Sequence, residues 1–113
     1  MKTVTIGVSS REEVKRRLAH AFKGERQGSR ISFASASLLL RVLTEHRLRL
    51  LDAMRGANPM SLREAARRVD RDVKRVHGDV HALLGAGILR KTADGKIQFP
   101  FDTVRVEFEL KAA

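Results

Sequence analysis

The chain has no cysteine, no tryptophan and no tyrosine, and only two of its 113 residues are proline. Without thiols there is no disulfide framework, no thiolate nucleophile and no cysteine-ligated zinc. Without Trp or Tyr it lacks the amphipathic rings that hold basic helices in a lipid headgroup layer, and its five phenylalanines give few platforms on which RNA bases could stack. No apolar run approaches the roughly 20 residues that span a bilayer. The opening MKTVTIGVSS alternates Val4, Ile6 and Val8 with Thr3, Thr5 and Gly7, unlike the continuous apolar segment of a secretory signal. A cytoplasmic protein without membrane association is expected. No P-loop, no G-x-S-x-G and no carboxylate pair placed by the pattern in a cleft is present, so neither an enzyme nor a cofactor is expected.

Acidic residues are outnumbered by basic ones. There are 13 Asp plus Glu against 23 Lys plus Arg, a formal charge of +10 and a pI near 11.2. So large an excess on so short a chain attracts a polyanion, and for a folded domain the commonest is nucleic acid. The length suits one small core rather than a large enclosed cavity.

Hydrophobic periodicity lays out the elements. After the opening strand, SREEVKRRLAHAF carries capping-box spacing at Ser10 and Glu13, with Val14, Leu18 and Phe22 at i, i+4, i+8. KGERQGSR, residues 23–30, holds two glycines and no apolar residue and reads as a linker. It divides a strand-helix arm, residues 1–30, from a body, residues 31–113. In the body Ser35 caps a short apolar helix through Leu38, Leu39, Leu40, Val42 and Leu43. Thr44 caps the next, with Leu48, Leu51 and Met54 inward and Gly56 as the stop.

SLREAARRV repeats the capping box at Ser61 and Glu64, with Leu62, Ala65, Ala66 and Val69 on one face and Arg63, Arg67 and Arg68 on the other. The turn Asp70-Arg71-Asp72 leads into a helix whose inward stripe is Val73, Val76, Val80, Leu83 and Leu84, ended by Gly85 to Gly87. Asp94-Gly95 between two short β-prone runs marks a hairpin. Finally TVRVEFEL alternates Val104, Val106, Phe108 and Leu110 with Arg105, Glu107 and Glu109, the pattern of a half-buried strand.

Helix, tight turn, helix and basic hairpin in that order predict an α+β fold of the winged helix-turn-helix type. The face opposite the Val73 stripe presents Arg71, Lys74, Arg75 and Gly78, with His77 and His81 at its flank. With Ser61, Arg63, Arg67 and Arg68 from the preceding helix, and Arg90, Lys91 and Lys96 from the hairpin, these are the candidate contacts to double-stranded DNA. Lys74 and Arg75 are candidates for guanine edges and the others mostly for phosphate. Gly78 removes a side chain where the helix would approach its target, and is equally compatible with a solvated face. His77 and His81 have the i, i+4 spacing of metal-binding helices, but Gly78 stands where such motifs carry glutamate and no third ligand is evident; no metal site is expected.

The stretch Leu62 to Leu89 with the hairpin to Phe99 resembles the winged-helix regulators of the MarR-like superfamily. LREAARRV followed by VKRVHGDVHALLGAGIL is similar to their recognition helix running into a Leu-x-x-x-Gly-aliphatic exit and a wing. VTIGV, ISFAS, RVLTEHRLRLLDAMRG and the terminal VRVEFEL extend the likeness to a family of small winged-helix DNA-binding proteins of archaea and bacteria, some of them antitoxins. The resemblance implies a transcriptional regulator, a repressor of its own operon, or alternatively an antitoxin that neutralises a partner toxin by protein contact. Relatives carry a basic residue where Gly78 stands, which argues against base readout from that position. The two terminal strands each need a partner, within one chain or across two, and a homodimer built by the arm and the last strand is expected.

Overall fold

A computed structural model describes residues 2–24 and 29–110. The fold is α+β. Strand β1 (Thr3–Val8) leads to helix α1 (Arg11–Phe22) and strand β2 (Ser29–Phe33); helices α2 (Ala36–Val42), α3 (Glu45–Met54), α4 (Leu62–Val69) and α5 (Val73–Gly85) follow. The chain ends with a two-stranded hairpin, β3 (Arg90–Lys91) and β4 (Ile97–Gln98), and strand β5 (Thr103–Glu107).

Each helix among the described residues starts where a side-chain oxygen can take an unpaired amide. Ser10, Ser35, Thr44, Ser61 and Asp72 each accept from a backbone N–H in the first turn. Ser10 and Glu13 form the reciprocal capping box, and the Ser10 amide holds the Glu13 carboxyl below the usual carboxylate range. At Ser61 the hydroxyl accepts from the Glu64 amide at 3.1 Å, while the Glu64 carboxylate is engaged by Arg67 and Arg68.

The terminal strands pair within one chain. The sheet has the order β2-β1-β5 and both pairings are parallel, with Ile6 opposite Ile31 on one side and Val106 on the other. The expected arm of residues 1–30 is therefore not separate from the body: β1 is the middle strand, and Val4 and Ile6 are fully buried. The need of the two terminal strands for a partner, from which a homodimer of arm and last strand was expected, is met within one chain. Of the expected linker, residues 25–28 lie outside the described residues, and Ser29-Arg30 opens β2. Parallel neighbours need long crossovers, supplied here by α1 for one pair and by the rest of the chain for the other.

One face of the sheet carries Val4, Ile6, Val8, Ile31, Phe33 and Val104 toward the core, and α2 packs on β1 and β2 there. A single buried cluster continues from these residues through Leu39, Leu50, Leu51, Met54, Val76, Leu83 and Phe99. Four expected stripes differ in detail. Val14, Leu18 and Phe22 of α1 face solvent, with Phe22 90% exposed, and no residue of α1 is buried. In α2 only Leu39 is buried, with Leu43 at the cap, whereas Leu38 and Leu40 are exposed. In α3 Leu50 is buried and Leu48 exposed, and in α5 Val73 is exposed.

Helices α3, α4 and α5 pack on one another. Asp70 adopts a left-handed conformation, φ 52°, to end α4, a strain that Asp tolerates better than most residues. The hairpin turns at Gly95, φ 82°, where the Thr92 hydroxyl donates to Asp94 and accepts from the Lys96 amide. Met60 exchanges two backbone hydrogen bonds with Ile97, at 2.9 and 2.8 Å, fastening the hairpin to the segment that starts α4.

Candidate nucleic-acid interface

The outward face of α5 is set by the inward one. Val76, Val80 and Leu83 are buried, so at about 100° per residue Lys74, Gly78 and His81 point directly away from the core, with Arg75 and His77 on either side. All five are exposed. Lys74 and Arg75 have no ion-pair partner among the described residues. A Cβ added to Gly78 would meet nothing within 4 Å, so this part of the face is open. The rings of His77 and His81 lie 4.1 Å apart between centroids, tilted by 44°. Among the described residues no group of three or more His, Cys, Asp or Glu could hold a metal.

Ion pairing sorts the remaining candidates. Arg63, at the start of α4, is exposed and without an ion-pair partner among the described residues. Arg67 donates from Nε to the Glu64 carboxylate at 2.9 Å, and Arg68 lies 3.8 Å from the same group and donates to the Ala53 carbonyl. These contacts are exposed, and Arg67 holds the Glu64 carboxyl below its ordinary value. Such surface pairs are weak and can be exchanged for a phosphate.

Arg71 is different. Its guanidinium lies 2.7 Å from Asp79, and Arg47 of α3 approaches the other oxygen of that carboxylate at 3.0 Å. Both arginines are about four-fifths covered, at 21% exposure, and Asp79 is 15% exposed. Arg47 also donates to the carbonyls of Arg41 and Val42 at the end of α2. The cluster thus ties α2, α3 and the turn to the flank of α5. Arg71, expected on the outward face, is committed to this internal clamp.

Arg47 and Asp79 were not singled out by the sequence, since neither lies on an apolar stripe or in a basic run. They are 32 residues apart, and no spacing rule links them.

In the hairpin, Lys91 is exposed, and Lys96 is exposed with Asp94 at 3.9 Å. Arg90 sits at the base, lining a groove of about 240 Å³ with Lys2, Thr3 and Phe101. The Met60–Ile97 pairing sets Lys96 next to the start of α4, where Ser61 and Arg63 lie, and α4 packs against α5. Ser61 is occupied as the cap of α4 but remains exposed. The basic groups of the three elements therefore belong to one packed unit. No helix among the described residues is long and apolar enough to cross a membrane.

The HVO_A0114 family model matches residues 42–106, from the end of α2 into β5, which is more than half of the chain. No curated protein and no solved structure matches it. The matched stretch contains the three packed helices, the Arg47–Asp79–Arg71 clamp and the hairpin, and by it the chain belongs to the HVO_A0114 family.

Proposed function

We propose that this chain is a sequence-specific double-stranded DNA-binding regulator of the winged helix-turn-helix type, with α5 in the major groove and the β3–β4 hairpin as the wing. One observation carries the reading. The outward face of α5 is a continuous surface of Lys74, Arg75, His77 and His81 around an uncovered Gly78, while the nearby acids Glu64 and Asp79 are engaged by other arginines. A helix is the element that fits the major groove, and unpaired basic side chains at its N-terminal end are the groups that reach base edges there.

In this reading Lys74 and Arg75 donate to guanine O6 and N7. Arg63 and the hairpin lysines neutralise phosphates on either side, with Arg67 and Arg68 exchanging Glu64 for phosphate as the duplex arrives. The clamp through Asp79 holds α5 at a fixed height above α3, which sets how deeply its outward face can enter.

The test is a binding titration against the duplex upstream of the protein's own gene and against a scrambled duplex, each at two salt concentrations. Affinity for both falls steeply with salt, because each phosphate contact releases condensed counterions. Lys74→Ala with Arg75→Ala removes the preference between duplexes, each side chain accounting for about 1–3 kcal/mol of discrimination. Lys91→Ala weakens both duplexes alike. Equal losses on both duplexes from the α5 pair would refute the assignment of base readout to α5.

A further inference from the structure

Strand β5 has β1 on one side and, among the described residues, no strand on the other. Its free edge carries charges of both signs, Arg105 and Glu107, rather than a row of one sign. It is five residues long, contains no proline, and its core-facing Val106 remains 40% exposed. Beside it runs a groove of about 350 Å³ between the strand and α3, lined by Leu48, Leu51, Val104 and Val106 with Asp52 and Arg55 at its rim. An exposed edge of this kind is a template for another strand.

The sequence of the edge says which strand. On the face away from the core stand Thr103, Arg105 and Glu107, and on the core face Val104 and Val106. We propose that β5 pairs antiparallel with β5 of a second copy of this chain, about a two-fold axis at Val106. In that register Arg105 stands opposite Glu107 of the second copy, and the reverse contact repeats it. If the pairing lengthens the strand, Val104 falls opposite Phe108 and Thr103 opposite Glu109.

Shifting by two residues in total puts Arg105 opposite Arg105, or Glu107 opposite Glu107, and like charges directly opposed are destabilising. The charge pattern thus selects one register. The two valines at the axis would close over the groove beside the exposed Leu48 of each copy.

The other edge offers no such match. Strand β2 carries a single charge, Arg30, and that side chain is turned back over the sheet to Glu107 at 3.1 Å and to Ser9. Arg105 is exposed and has no ion-pair partner among the described residues.

The absence of cysteine makes the register measurable. Directly opposed Cβ atoms in an antiparallel pair lie about 4.5–5.5 Å apart, close to what a disulfide needs. Val106→Cys is therefore expected to cross-link two copies on mild oxidation. Val104→Cys, whose copies are separated by four residues along the ladder, about 13 Å, is not.

Charge reversal supplies a second measurement. Arg105→Glu and Glu107→Arg should each raise the dimer dissociation constant by about tenfold or more in sedimentation equilibrium, since each places two like-charge pairs across the axis. An equimolar mixture of the two variants should form heterodimers, in which every pair is again opposite in sign. A general loss of folding, or the loss of the Arg30–Glu107 contact alone, would not be repaired by mixing. A wild-type chain that stays monomeric at all concentrations, cross-linking at 104 as fast as at 106, or variants that fail to prefer each other would overturn the proposal.

Discussion

Replacing Asp79 by alanine tests whether the clamp, rather than the apolar stripe alone, positions α5. The carboxylate is 15% exposed and receives Arg47 at 3.0 Å and Arg71 at 2.7 Å, each arginine 21% exposed. Its removal leaves two largely covered guanidinium groups close together without a counter-charge. An exposed pair contributes about 0.2–1 kcal/mol, whereas breaking a fully buried one costs about 3–5 kcal/mol. Groups four-fifths covered, with two pairs lost at once, fall between these limits, at about 2 kcal/mol. For a domain of this size that corresponds to a fall of about 8 °C in the thermal midpoint, followed by far-UV circular dichroism.

Arg71→Ala removes one of the two contacts, leaves Arg47 in place and should cost about half as much. A double-mutant cycle between positions 71 and 79 should return a coupling energy of about 1 kcal/mol. Because Arg71 is committed to Asp79, its replacement should leave the salt dependence of the proposed DNA binding unchanged, in contrast to Arg63→Ala. A melting point for Asp79→Ala within about 2 °C of the parent, less than the ~0.5 kcal/mol that such a shift represents, would refute the reasoning. So would a salt slope reduced by one unit in Arg71→Ala, which would return that residue to the proposed DNA-contacting face.

Two further outcomes follow from single residues. Gly78→Ala meets no neighbour within 4 Å on a helical backbone, so it should stabilise the free protein by about 0.5–1 kcal/mol. If the helix face approaches DNA closely at this point, the same change weakens specific binding, and a variant both more stable and equally tight would remove Gly78 from the interface. The Asp94 carboxyl is held below its ordinary value chiefly by the Thr92 hydroxyl. Its contribution to the hairpin is thus complete above the unfolded value of about 3.9 and is lost as pH falls through the lower native value. Asp94→Asn should therefore melt below the parent at neutral pH, with the gap closing in acid; a gap independent of pH would contradict this.

How much was legible depended on range. Ser10, Ser35, Thr44, Ser61 and Asp72 announce the five helices among the described residues because a cap acts on amides two or three residues away. The hairpin was equally plain from Asp94-Gly95, since a left-handed turn residue is a local requirement. Lys74, Arg75, Gly78, His77 and His81 could be assigned to the exposed face of α5 because the inward Val76, Val80 and Leu83 fix its rotation. Strand β2 was missed: Ser29–Phe33 is too short and too polar to stand out, and becomes a strand by lying against β1. The apolar stripe of α1 was visible, but periodicity says which residues share a face and nothing about whether another element covers it.

By itself, then, the sequence determined the local grammar of this protein: where helices begin, where the hairpin turns, which side chains share a face, and a net charge suited to a polyanion. Those properties follow from interactions across one or two turns of chain and from composition. Tertiary structure alone decided that β1 sits between β2 and β5 in a parallel sheet, and that Asp79 draws Arg71 away from the surface while Lys74 and Arg75 stay uncommitted. The physical reason is the same in both cases. Strand order and charge pairing are contests between distant residues for limited partners, and they are settled only when packing brings the competitors together.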